Sequence, residues 1–297
     1  PKVVHKDWPI FLVQDVLHWS YHHNKDEFFR RWIGSAQLST LRQYWMRFRA
    51  DDPRLIDHPV TFIHGWQDIA IPGRFHADGV PYGKSRSASA DVANISSPLS
   101  TGGTLDTLNL WWWMPKDLIT NGTMERVWKY AIWDITCCAR GEFLPYDWDG
   151  NIIQATSDHP RKMCTGRIMG PHVLAMIQGT ADTDFWANRM GLKHWQCLDP
   201  CDFCTADSIE GSSRNYSNFR PDCQWMQELV TRDEWVENVT PHPLWQSYPL
   251  IGLNLFSICL DILHVLDLGV LQYFLGSVVW TLGRKFCKSG GANLGTL

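Results

Sequence analysis

The chain has 297 residues, 44% of them hydrophobic, enough to build one large domain or two small ones and too many for wholesale disorder. A formal net charge of −4 excludes a protein coated in basic surface but leaves room for local patches, of which there are three: Arg30 and Arg31; Arg42, Arg47 and Arg49; Arg161, Lys162 and Arg167. Nine cysteines, an odd and clustered set, fit reduced thiols and a metal site better than a disulfide framework.

Residues 1 to about 50 read as helical, through "DVLHWSYHHNKDEFFRRWI" and "QLSTLRQYWMRFRADDPR", and residues 1–58 are taken as a helical N-terminal region. "IPG" at 71–73 is read as a breaker. Three strand-like stretches follow, "RFHADGVPY", "SADVANISS" and "TLNLWWWM", separated by turn residues. "NGTMERVWKYAIWDITCCARG" begins on helix-start chemistry at Asn121 or Thr123 and stops at Gly141, which predicts a helix. "HVLAMIQGTAD" predicts a buried strand ending on an acid, Asp182, and "DTDFWANRMGL" a short helix beginning where that strand stops. Residues 59–193 thus form a first core segment.

Residues 194–249 have no regular period and are rich in Cys, Trp, Pro and Asn, so they are read as an insertion. A long buried helix is expected over roughly 255–283, within a last segment 250–297 that ends in the Gly-rich "KSGGANLGTL". Its most apolar run, 268–282, is shorter than the ~20 residues a spanning helix needs, so no membrane is expected as a partner. The chain begins at Pro1 with no signal peptide and is read as a fragment. Most of the seventeen tryptophans are expected in the core.

Two aspartates stand out, one on a strand and one at a strand's C-terminal end, and α/β sheets collect their chemistry at strand ends. Asp78 precedes Gly79 on the first predicted strand, and Asp182 closes the fourth. Paired carboxylates of this kind can hold Mg²⁺ or Mn²⁺ for phosphodiester chemistry. Their everyday uses are also open: Asp-Gly is a common turn, and an Asp before a helix is a common cap. In "HWQCLDPCDFC", His194, Cys197, Cys201 and Cys204 fall within eleven residues, and Cys201-x-x-Cys204 has the spacing that lets two thiolates face one Zn²⁺. A redox pair is the competing reading of that spacing. Cys223 and His264 are further donors, and Asp261 and His264 share a helix face in "LDILHVLDL". A hydrogen-bonded core histidine is the plain reading of that pair.

Taken together, "HADG", "GTADTDFWANRMGLKHWQCLDPCDFC" and "DILH" resemble the CACTA (En/Spm-like) group of DDE transposases over roughly residues 70–285. The resemblance implies an α/β fold: a ribonuclease-H-like mixed sheet with flanking helices and a zinc-stabilised insertion at 194–249. It implies Asp78 and Asp182 as catalytic metal ligands for Mg²⁺ or Mn²⁺, and Cys201, Cys204 and His264 as Zn²⁺ ligands, with His194 or Cys197 as the fourth. The implied activity is DNA strand cleavage and transfer at transposon ends, in the nucleus, by a possible homo-oligomer. The chain departs from the group in one respect: from Asn238 to Leu297 it has no glutamate to serve as the third acid. Truncation before that acid is the expectation, and a non-catalytic domesticated DNA- or protein-binding module is the alternative. A Trp-rich binding or hydrolase domain unrelated to DNA is a third reading.

Overall fold

Polar and apolar residues alternate after Gly73, and this pattern forms strand β1 (Ala70–Pro81) of the computed structural model. Residues 8–37, 39–82, 88–156, 158–194, 196–238, 241–260 and 272–287 are described. They fall into two compact units, 1–259 and 260–297. Ahead of β1 lie α1 (Val13–His23), α2 (Lys25–Phe28), a π-helical turn Phe29–Ile33, α3 (Ser39–Trp45), a 3-10 turn Pro59–Phe62 and α4 (Trp66–Ile69). After it come β2 (Ser89–Ser96), α5 (Thr104–Thr107), β3 (Asn109–Pro115), a 3-10 turn Lys116–Leu118 and α6 (Thr123–Arg140). The remainder of the unit is β4 (Val173–Ala181), α7 (Thr183–Met190), α8 (Gln224–Gln227), α9 (Arg232–Glu237), α10 (Pro243–Gln246), α11 (Tyr248–Ile251) and β5 (Ile258–Leu260).

The five strands form one mixed sheet in the order β3-β2-β1-β4-β5. β1, β2 and β3 are antiparallel neighbours, while β4 runs parallel to β1. The fold is therefore mixed α/β, with helices flanking the sheet. "IPG" does not break the chain: β1 runs straight through Pro72. The reason lies in the pairing. Residues 70–73 pair with β4, but β2 joins only from Arg74 onward, so the proline sits on a locally open edge where its missing N–H costs no ladder bond.

Two irregularities decide what each face presents. On β4 the partners step from Met176 to Gln178 against Gly73 and Arg74, so Ile177 is an extra residue, a β-bulge. On β3 the partners of Ala93 and Asn94 are Trp112 and Leu110, which makes Trp111 extra. The second bulge lets consecutive tryptophans, Trp111 and Trp112, both be fully buried.

One face of the sheet carries the main core, built from Phe75, Ala77, Ile95, Trp112, Leu174 and Met176 against Trp32, Leu41, Trp128, Trp186 and Trp245. Five tryptophans, 32, 111, 112, 128 and 245, are among its largest buried side chains, as the composition led one to expect. A second cluster on the opposite face packs Trp45 and Val60 on Ala70, Val173, Ala175 and Ile177, with Phe48, Ile63 and Trp66 partly buried around them.

The N-terminal helices are fastened by Asp134 of α6, which is fully buried. Its carboxylate accepts from the Val13 and Gln14 amides at the start of α1 (2.8 and 3.0 Å) and from Trp111 Nε1 (3.1 Å). Burial pushes its pKa up to about 7, against the pull of those donors. His58 makes a similar tie, accepting from Val60 N on Nδ1 and donating from Nε2 to the Met176 carbonyl beside the β4 bulge (both 3.1 Å). Gly252, at φ +82, admits the imidazole: a Cβ there would lie 1.8 Å from His58 Nε2.

One expectation is corrected near the C-terminus. The long helix expected from 255 is, at its start, a 3-10 turn Leu255–Ser257 followed by β5, which completes the sheet. Residues 261–271 lie outside the described residues. The helix proper is α12 (Gln272–Cys287), which belongs to the other compact unit. Within 194–249, Trp235, Leu244 and Trp245 belong to the main cluster.

Candidate metal-binding edge of the sheet

Ala77 of β1 pairs with Ala181 of β4 in parallel register, so the next residues, Asp78 and Asp182, stand side by side at the same end of adjacent strands. Neighbouring strands lie ~4.8 Å apart, which brings the two backbones within reach of shared ions. Asp78 is still in the ladder, opposite Val92 of β2, and is therefore a strand residue rather than a turn. Asp182 is the N-cap of α7: its Oδ1 accepts from Phe185 N at 2.6 Å. A carboxylate offers about four lone-pair sites, so capping does not use up its capacity for a cation. Hard oxygen donors at this spacing suit Mg²⁺ or Mn²⁺.

Behind these acids lies a network that the sequence analysis did not single out. Asp91 of β2 faces the core side, with its side chain 3% exposed, and pairs with Arg189 of α7 (2.5 Å) and Lys116 (3.5 Å). It is the register partner of Gly79, the glycine that follows Asp78. A Cβ on Gly79 would come 2.9 Å from Lys116 Nζ, the tip of a flexible side chain that can shift aside. A signal for Asp91 was present. In "SADVANIS" it shares parity with Ala93 and Ile95, and a charge at a core position demands a partner.

The cysteine stretch is partly assembled. Cys201 and Cys204 share a hydrogen bond, and burial foremost pushes the Cys201 thiol up to about 11. The Phe203 amide donates to Cys201 Sγ at 3.4 Å, and Asp202 Oδ2 accepts from Lys193 N, closing the loop between α7 and this turn. Cys204 is buried and bridges to Leu229. Cys197 is exposed. His194 turns toward α7, with Nε2 3.9 Å from Asp184 and Nδ1 accepting from Gln196 N. His264 lies outside the described residues, as do Asp261 and Asp267. Among the described residues no three His, Cys, Asp or Glu side chains gather as a metal-binding group.

The basic patches are largely spent on internal partners. Arg30 and Arg31 pair with Glu27, Arg42 with Asp68, Arg49 with Asp51, and Arg161 with Asp15. Among the described residues no helix is long and apolar enough to cross a membrane.

A scan against protein-family models and searches of curated proteins and of solved structures found no match.

Proposed function

We propose that the chain is the core of a DDE-type transposase, acting on DNA by divalent-metal phosphodiester chemistry at Asp78 and Asp182. The observation that carries this reading is the parallel register that sets the two acids together at one sheet edge. The 3-2-1-4-5 strand order, with three antiparallel strands and a parallel fourth, is compatible with the ribonuclease-H-like fold that the motifs imply. Cations bound at this edge would activate an attacking oxygen and neutralise charge at the scissile phosphate. The chain's own part is to hold the ligands still. Asp78 is fixed by ladder pairing on β1, and Asp182 by its cap on α7, which Phe185, Trp186 and Met190 anchor in the core.

Cys201 and Cys204, with His264 and either His194 or Cys197, are the proposed structural zinc ligands. Uptake of the ion would release a proton from the Cys201 thiol, which burial keeps neutral. Pairing of two transposon ends would call for two copies of the chain, and chromosomal DNA as substrate for a nuclear location.

Mn²⁺ titration by calorimetry tests the reading. The wild-type chain is expected to bind Mn²⁺, and Asp78→Asn is expected to weaken binding by roughly tenfold or more, the scale on which metal sites respond to lost support. Equal binding by the two proteins would sink the proposal.

Loss of the third acid from the complete gene would favour a second reading, a DNA-binding module that keeps the fold without cutting. Plasmid nicking in Mn²⁺ separates the two: metal binding without nicking supports the module.

A further inference from the structure

The face of the sheet that carries Asp78 holds three further polar side chains in one row. Residues directly opposite each other on paired strands share a face. Asn94 of β2 stands opposite His76 of β1, and His76 stands opposite Thr180 of β4. His76 and Asp78 are two apart on one strand, so they project from the same side, ~6.7 Å apart along it. The core takes the alternate residues, Phe75 and Ala77. The row therefore crosses three strands one pleat behind Asp78, on the same side of the sheet.

Polar groups elsewhere on the sheet are spent within the protein: Asp91 on Arg189, Asn109 on the Ile95 carbonyl, and Arg74 on Ser96. Those of the row are not. Asn94, His76, Thr180 and Asp78 itself are half-buried, and among the described residues their side chains make no hydrogen bond or ion pair. Half-buried donors and acceptors without internal partners are costly unless something else satisfies them. Of the row, His76 alone lies on the strand of Asp78, and its imidazole is the longest of the three side chains.

We propose that His76 is a phosphate contact of the Asp78–Asp182 edge, donating an imidazole N–H to the phosphodiester that bound cations would hold there. The inference rests on the DNA reading above and adds a side chain that would meet the substrate. A phosphodiester has two non-bridging oxygens. Cations at the acids occupy one, and a neutral imidazole, with its single N–H donor, suits the other. Such a bond fixes the strand without reading bases. Because the cations draw the phosphate in, the contact belongs to the metal-dependent part of DNA affinity.

The test uses the full chain and a fluorescein-labelled duplex of random sequence, with affinity measured by anisotropy in Mn²⁺ and in EDTA. Mn²⁺ is expected to tighten DNA binding by the wild-type chain. His76→Phe keeps a ring but no donor, and should weaken binding in Mn²⁺ by roughly tenfold, the scale of a hydrogen bond to a charged group. His76→Gln keeps an N–H donor and should recover most of that loss, which a merely structural role for the ring would not predict. His23→Ala, an exposed control at the end of α1, should bind as wild type. Calorimetric Mn²⁺ affinity should be the same in all four proteins. If His76→Phe does not fold, His76→Ala against His76→Gln gives the same comparison. Wild-type DNA affinity in Mn²⁺ for the donor-free variant overturns the inference and leaves the proposed function standing, as does a wild-type chain that binds Mn²⁺ without any gain in DNA affinity. Loss of Mn²⁺ binding in that variant also overturns it, by making the imidazole part of the metal site. A wild-type chain that binds neither Mn²⁺ nor DNA overturns the proposed function, and the inference with it.

Discussion

Asp182 has two candidate employments, helix cap and metal ligand, and substitutions can separate them. The cap is a single bond, Oδ1 to Phe185 N at 2.6 Å, at the start of an eight-residue helix. Replacing it with Ala removes that bond and should cost about 1 kcal/mol. Asn and Ser are good caps themselves, so Asp182→Asn and Asp182→Ser should lose only a few tenths from the cap. The lost charge at the helix N-terminus adds ~0.3–1 kcal/mol, screened by salt. None of these changes should unfold α7, because Phe185, Trp186 and Met190 are buried and Arg189 pairs with Asp91. Metal binding follows a different order. Asn and Ser supply no carboxylate, so all three variants should lose Mn²⁺ equally, whatever their stability. Urea unfolding followed by tryptophan fluorescence gives the first quantity, and calorimetric Mn²⁺ titration the second. Wild-type Mn²⁺ affinity in Asp182→Asn would refute the reasoning and leave Asp182 a helix cap alone.

Three further outcomes follow from buried groups. Asp134→Ala strips the acceptor from three buried N–H donors, each costing about 1–3 kcal/mol when left unpaired, so urea unfolding should show a loss of at least about 3 kcal/mol. Because folding raises the Asp134 pKa to about 7, the native state binds more protons than the unfolded chain between about pH 4 and 7. Its contribution is complete below that window and is lost as pH rises through it, by at most about 4 kcal/mol, a slope that Asp134→Asn should abolish. His58 runs oppositely: burial lowers its pKa from 6.5 to about 4, so the unfolded chain takes up the proton first and stability falls as pH drops through that interval. His58→Gln should flatten that part of the profile, and an unchanged profile would count against neutral burial. Purified protein should carry one zinc per chain by elemental analysis, and Cys201→Ser should lose it; zinc-free wild-type protein would remove the insertion's proposed role.

The strands and principal helices were legible because their periods are. β2 alternates, α6 stops at Gly141, and β4 runs into an acid at a helix start. The failures have local causes. "IPG" carries breaker chemistry, but Pro72 falls on the stretch of β1 that β2 does not reach, a fact of pairing rather than of composition. β5 was read as helix because it is three residues of an apolar run, too short to show any period. Neither bulge could be foreseen, since one extra residue on a strand is defined only against its partner. Of the site, Asp78 was visible as an acid on a strand and Asp182 as an acid at a strand end, whereas the Asp91–Arg189 pair shows only in the fold.

The Ile177 bulge also explains why this edge can be chemical at all. Before it, the face of β1 and β4 opposite the main core is apolar, with Ala70, Val173, Ala175 and Ile177 covered by residues 44–69. A strand pair in simple register would continue that pattern along its length. The extra residue lets the strands resume with Gly179 and Ala181 toward the main core, where Gly179 meets Phe75 and Trp186 closely, and with Gln178 and Thr180 on the other side. That side then matches Arg74, His76 and Asp78 across the ladder, all only half-buried. One face thus changes from hydrophobic packing to polar groups within a few residues, at the end of β1 and β4 where Asp78 and Asp182 stand. Buried carboxylates without partners would be costly, so the half-open polar end is the part of this sheet that can carry a pair of acids and still hold them rigidly.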